Sequence, residues 1–184
     1  MSSETTDLAL RRVVHELERH ASKGGWDQPA RIFALVDTED LLSREPDLAE
    51  VLGVDAEAGG FTPVEQEALD PGIELEEVLV QIIWPDIVPG CAVVVERVML
   101  PPEVEAQVPE EPEAAVEFAA NHPDREEVRI VVGVLRDGGS WCALRLRSHD
   151  EDHEVLVGED LVPGLVVMAQ QTLEPAVDED LISE

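Results

Sequence analysis

The sequence predicts an α+β fold: a mostly antiparallel sheet with helices packed on one face. Three observations lead there. Strand-like and helix-like segments alternate unevenly, unlike the regular rhythm of a parallel α/β chain. The strongest local signal is a β-hairpin, with residues 128–135 and 141–148 flanking Asp137-Gly138-Gly139. No self-similarity appears at solenoid or propeller periods.

From the N-terminus, a polar Ser2 to Thr6 lead precedes Leu10, Val13, Val14, Leu17 and Ala21 at helical spacing. Arg11, Arg12, Glu16, Glu18 and Arg19 fall on the other side, and Gly24-Gly25 ends the helix. Residues 30–36, after Pro29, read as a strand. Asp37 to Glu39 start a helical stretch through Leu41, Leu42, Leu48, Val51 and Leu52, which Pro46 splits in two. Thr62-Pro63-Val64-Glu65 has a capping-box arrangement, so a brief helix to Leu69 is expected. Leu75, Val78, Leu79, Ile82 and Ile83 mark another amphipathic helix, closed by Trp84-Pro85.

Gly90 opens a β-branched strand that ends at Pro101-Pro102, and the proline- and glutamate-rich residues 101–112 are expected to be loop. Ala115, Phe118 and Ala119 suit a helix stopped by His122-Pro123. After the hairpin, residues 155–157 form a short strand, and Asp160 is expected to cap a last helix through Leu165, Val166, Met168, Ala169 and Leu173. Residues 1–173 are expected to form one globular domain, followed by an acidic, mobile tail over 174–184.

Composition narrows the functional classes. With 42 Asp and Glu against 12 Lys and Arg, the net charge is −30, spread over both halves of the chain. Such a surface repels phosphate backbones and anionic headgroups, so neither nucleic acid nor membrane is an expected partner. Leu, Ile, Val and Phe make up near 30% of the 184 residues, above the roughly 20% floor for folding. Lys23 is the one lysine among eleven arginines, a bias that GC-rich coding produces; a salt-adapted surface is the rival explanation. Cys91 and Cys142 lie in apolar runs without metal or redox spacing, and read as reduced, buried thiols. A secretory leader and a bilayer-length apolar run are not recognisable, so a cytoplasmic location is expected.

Hairpin register decides where its charges fall. A two-residue Gly138-Gly139 loop would put Arg145 and Arg147 on the face of Ile130, Val132 and Val134. An odd loop centred on Gly138 instead pairs Val134 with Cys142, Val132 with Leu144 and Ile130 with Leu146, leaving that face uncharged. The opposite face then gathers Arg129, Arg145 and Arg147 with Val131, Leu135 and Trp141. A like-charge pair of Arg129 and Arg147 demands anionic company. It can come from the protein's own carboxylates, such as Glu96, Glu126, Glu127 or those of a covering helix, or from an anionic ligand or acidic partner.

Other candidates are weaker. The run His149-Asp150-Glu151-Asp152-His153-Glu154 is the densest set of potential metal ligands, but it lacks the glycine and spacing of a calcium loop and reads as a solvated turn. His15 and His20 are five residues apart on the first helix and do not share a face. Ser140 sits in a hairpin rather than a nucleophile elbow. Neither Gly24-Gly25 nor Gly59-Gly60 belongs to a phosphate loop. Trp26, Trp84 and Trp141 each stand at an element boundary and suit core packing, with a partner pocket as the alternative.

Several segments together resemble an uncharacterised family of small acidic proteins from high-GC Gram-positive (actinobacterial) genomes. They are Trp26-Asp27-Gln28-Pro29 with the strand after it, Trp84-Pro85 through Gly90-Cys91 to Val94-Val95-Glu96-Arg97, His122-Pro123-Asp124-Arg125-Glu126-Glu127-Val128-Arg129, and Arg145-Leu146-Arg147-Ser148-His149-Asp150 followed by Leu161-Val162-Pro163-Gly164-Leu165. The resemblance implies a bacterial cytoplasmic setting and transfers no cofactor, metal or catalytic residue.

The functional expectation is therefore a non-enzymatic interaction or accessory module with an unidentified protein partner, using the face of Arg129, Arg145, Arg147 and Trp141. The alternative is a small-molecule enzyme or binding protein with an arginine anion clamp. No cofactor is expected, and the sequence is silent on oligomeric state.

Overall fold

The β-branched runs of the chain pair with one another. In a computed structural model that describes residues 2–54, 59–70 and 72–175, six strands form one sheet. They are β1 (Arg31–Asp37), β2 (Phe61–Glu65), β3 (Gly90–Met99), β4 (Glu126–Leu135), β5 (Ser140–Leu146) and β6 (Leu156–Gly158), ordered β2-β1-β3-β4-β5-β6 with every pair antiparallel. Seven helices accompany them: α1 (Ser3–Lys23), α2 (Thr38–Arg44), α3 (Pro46–Val51), α4 (Leu75–Leu79), α5 (Pro102–Glu105), α6 (Pro112–Asn121) and α7 (Pro163–Gln171). The α+β class and the antiparallel sheet are as the sequence predicts. Residues 176–184, most of the expected tail, lie outside the described residues.

The helices occupy both faces, which corrects the expectation of one covered face. The reason lies in the central strands: Val93, Val94 and Val95 in β3 and Ile130, Val131 and Val132 in β4 are all buried, so consecutive residues bury opposite sides. A strand without apolar–polar alternation needs cover above and below. On one side Ile32, Val93, Val132 and Cys142 pack with Leu79 of α4, Trp84, and Leu165 and Ala169 of α7. On the other, Phe33, Val94, Val131 and Ala143 pack beneath Leu10, Val13, Val14 and Leu17 of α1. Close approach of α1 requires Gly133: a Cβ there would lie 2.6 Å from Val14 Cγ2 and 3.0 Å from Leu10 Cδ1.

Four local expectations need correction. Residues 62–65 are not a helix start but the strand β2. Gln66 N–H donates to Ile32 O and Thr38 N–H to Gly60 O, so even-numbered residues of β2 turn their backbone groups toward β1. Pro63, an odd position, faces outward at the sheet edge, where a missing N–H costs no ladder bond. Thr62 is buried and its hydroxyl lies 2.9 Å from that of Thr38 rather than capping a helix. Residues 101–112 include the short helix α5, started by Pro102 and anchored by buried Val104. The helix expected to reach Ile83 stops at Leu79. Asp160 does not cap α7, which begins at Pro163 after Val162 without a side-chain cap.

Candidate functional site

Asp137 and Gly138 shape the hairpin. Leu135 N–H donates to Gly139 O and Gly138 N–H to Leu135 O, closing a three-residue loop, Arg136-Asp137-Gly138, in which Gly138 takes φ +100°. The loop is odd, but it is centred on Asp137 rather than Gly138. Every pair therefore moves by two residues: Ile130 faces Leu144, Val132 faces Cys142, and Arg129 faces Arg145 instead of Arg147. A two-residue move preserves which side each residue faces, so the uncharged face and the arginine face survive.

Across the sheet, one row reads Glu96, Arg129, Arg145 on β3, β4 and β5. Two adjacent guanidinium groups, each at most 2% exposed, are tolerable only with carboxylates around them. Glu18 supplies one from α1. Itself 1% exposed, it accepts from Arg145 Nε at 2.5 Å and from Nη2 at 3.1 Å, a two-point fork. Asp150 at 3.2 Å and Asp152 at 2.7 Å complete the shell around Arg145. The hydrogen bonds that Arg145 donates to Glu18 raise the Arg145 pKa, and the one it donates to Asp152 lowers the Asp152 pKa. The buried pair ties the first helix to the fifth strand.

Residues 24–29 form a strap over Arg129. Gly25 O accepts from Arg129 Nη2, and the Trp26 ring lies 4.4 Å from the Arg129 guanidinium and 5.6 Å from that of Arg147. Trp26 Nε1 donates to Asp150 at 3.1 Å. Asp27 and Gln28 donate their N–H groups to the two Glu96 oxygens at 2.8 Å each, and the Asp27 carboxylate accepts from Arg147 at 3.1 Å. Asp27 holds φ +66°, the one non-glycine residue with positive φ among the described residues. Arg129 keeps one buried nitrogen, Nη1, without a hydrogen-bond partner, and burial lowers its pKa.

The structure thus brings Arg129, Arg145 and Arg147 together and faces them with Glu18, Asp27, Glu96, Glu127, Asp150 and Asp152. Trp141 lies apart from that knot, half-buried, with the Arg11 guanidinium 4.1 Å above its ring. Glu126, rather than meeting an arginine, accepts from the N–H and hydroxyl of Ser148. His149 pairs with Glu154 at 3.4 Å, and among the described residues no group of three or more His, Cys, Asp or Glu is placed to hold a metal ion. Cys91 and Cys142 are buried free thiols; burial pushes Cys91 up to about 11. Ser140 Oγ donates to Glu159 O at 2.6 Å.

Sequence reasoning missed two residues. Glu18 reads as a solvent-side residue of α1 by its charge, yet it is buried, four residues after Val14 and three before Ala21, both buried. Arg136, in the hairpin loop, donates to the carbonyls of Val88, Trp84, Pro85 and Leu173, joining the loop to the chain before β3 and to the end of α7.

A groove of about 560 Å³ lies along the other flank of α1, where β1 and β2 extend beyond its cover. Pro63 lines its floor with Arg31, whose guanidinium lies 5.2 Å over the ring of buried Phe33; Leu52 forms one wall, and Glu16, Arg19, His20 and Lys23 of α1 form the other. At the floor, Arg31 forms a two-point pair with Glu65 at 2.7 and 2.8 Å. Arg19 and Lys23 are exposed and have no carboxylate within 4.0 Å among the described residues. Arg12, Arg44, Arg125 and Arg136 likewise make no ion pair among the described residues, and the charge of Arg19 reaches Asp152; what sets Arg19 and Lys23 apart is that they stand one helical turn apart on one groove wall.

No described helix is long and apolar enough to cross a membrane. No curated protein and no solved structure matches the chain. Residues 10–174, from the buried face of α1 past the end of α7, match the family described as PPA1309-like protein, and the chain belongs to that family.

Proposed function

We propose that the protein is a non-enzymatic interaction module in which the arginine face is an internal staple and the groove beside α1 receives the partner. The carrying observation is the pair Arg19 and Lys23, exposed and without an ion pair among the described residues, on the wall of a groove that Leu52 and Pro63 also line. The alternative, an anion clamp at Arg129, Arg145 and Arg147, has one feature in its favour, the unpartnered Arg129 Nη1. Against it, six carboxylates already face the three cations, so an external anion would meet net negative charge and the Trp26 strap.

The test is site-specific photo-crosslinking in living cells, with the reactive residue at position 20 in the groove or at position 43 in α2. A discrete adduct formed from position 20 and lost in Arg19→Glu/Lys23→Glu supports the module. Adducts that do not depend on position, or that survive the charge reversal, overturn it.

A further inference from the structure

We infer that the groove receives α6 of a second copy of this chain, an inference that rests on the interaction reading above. Two solvent-facing surfaces of one molecule, one bearing cations and one bearing carboxylates, are complementary. α6 is ten residues long; it contacts β3, with Ala114, Ala115, Phe118 and Ala119 half-buried and none fully buried. Its outward face, at spacing i, i+3, i+4, i+7, is Glu113, Val116, Glu117 and Ala120, all exposed, with Val116 at 70%. The groove wall repeats that spacing on α1 with Glu16, Arg19, His20 and Lys23.

Laid antiparallel to α1, α6 sets Glu117 and Glu113 against Arg19 and Lys23 and turns Val116 and Ala120 toward Pro63 and the exposed Leu52. The two small apolar residues allow helix axes to approach the roughly 8–10 Å of ordinary helix packing. Strand addition is the competing way to fill this edge, and Pro63 opposes it. The outward backbone groups of β2 belong to Phe61, Pro63 and Glu65, and the middle one has no N–H to donate. Reciprocal exchange of α6 between two copies closes a twofold dimer. The −30 charge of each copy opposes association at long range, but charges beyond about 8 Å are screened at physiological salt, and the contact pairs are of opposite sign.

Lys23 is the single lysine of the chain, so a zero-length carbodiimide cross-link from a lysine side chain has one possible origin. An equal mixture of ¹⁴N- and ¹⁵N-labelled full-length protein is sedimented to equilibrium at about 100 μM, a concentration suited to weak association, then cross-linked and digested. Expected are a mass above the 20.1 kDa monomer and mixed-isotope peptides joining Lys23 to Glu113 or Glu117. Glu113→Arg/Glu117→Arg should abolish association, and mixing it with Arg19→Glu/Lys23→Glu should restore it. These substitutions are at exposed positions, and unchanged thermal unfolding checks that both variants fold. A monomer without mixed-isotope cross-links, while position 20 still forms its adduct in cells, overturns the α6 assignment and leaves an external partner. Loss of that adduct as well overturns both readings.

Discussion

Removing the two sides of the Arg145–Glu18 pair should have unequal consequences. Arg145→Met leaves the Glu18 carboxylate at 1% exposure with no hydrogen-bonding cation; Arg129 is near enough to act on its charge but donates only to Gly25 O. Breaking a buried pair from one side costs about 3–5 kcal/mol, so a loss of about 4 kcal/mol is expected. Glu18→Gln keeps the shape and leaves Arg145 beside Asp150 and Asp152, 48% and 70% exposed. It forfeits charge-assisted hydrogen bonds alone, about 2 kcal/mol. The double variant Glu18→Leu/Arg145→Met leaves no uncompensated charge from the pair and should lose less than Arg145→Met alone. Urea unfolding followed by tryptophan fluorescence reads each value, provided the denaturant slope is unchanged. At this chain length the Arg145→Met loss corresponds to roughly 10 °C in Tm. Equal losses for Arg145→Met and Glu18→Gln, or a double variant no better than Arg145→Met, would refute the claim that the pair is a buried staple.

Gly133→Ala should cost about 1–3 kcal/mol, because the added methyl meets Val14 and Leu10 beneath α1; differential scanning calorimetry checks it. At Asp27, φ +66° makes Ala about 1 kcal/mol worse than Gly, the reverse of their usual order, as paired chemical denaturation curves can show. Cys91, pushed up to about 11 by burial, should remain unreactive toward a disulfide reagent at pH 8, and thiol release should follow global unfolding. A fast-reacting Cys91 in native protein would contradict its packing against Trp84 and Thr172. The Arg31 hydrogen bond lowers the Glu65 pKa, so its stabilisation is present above the unfolded carboxylate value of about 4.3 and disappears as pH falls through the folded one. Arg31→Gln should move the acid-unfolding midpoint to higher pH, and an unmoved midpoint would show that the pair contributes nothing.

Much of the fold was legible because local chemistry and final structure agree. The α1 stripe, the break at Pro46, the β3 start at Gly90 and the arginine side of the hairpin all follow from residue spacing. The register was misjudged by two residues because parity fixes sides but not partners, and the identity of the loop residue at positive φ decides the rest. Thr62-Pro63-Val64-Glu65 satisfies a helix-start pattern, yet edge position in a sheet, which no local window contains, makes the same proline acceptable in β2. Glu18 and Arg145 stand 127 positions apart, and neither advertises its burial alone. The groove is not legible for the same reason: α1, β1, β2 and Leu52 after α3 line it together, and no local window contains them all.

The reach of Arg136 bears on how the chain becomes native during synthesis. Its guanidinium satisfies carbonyls before β3 and one at Leu173, while the Glu18 carboxylate waits for Arg145, 127 residues later. A nascent chain therefore emerges with its first helix carrying an acid and an apolar stripe that have no home until the late strands leave the ribosome. Closure of this fold waits for β5 and the chain after α7, and termination anywhere before α7 should yield material for degradation rather than a smaller working protein.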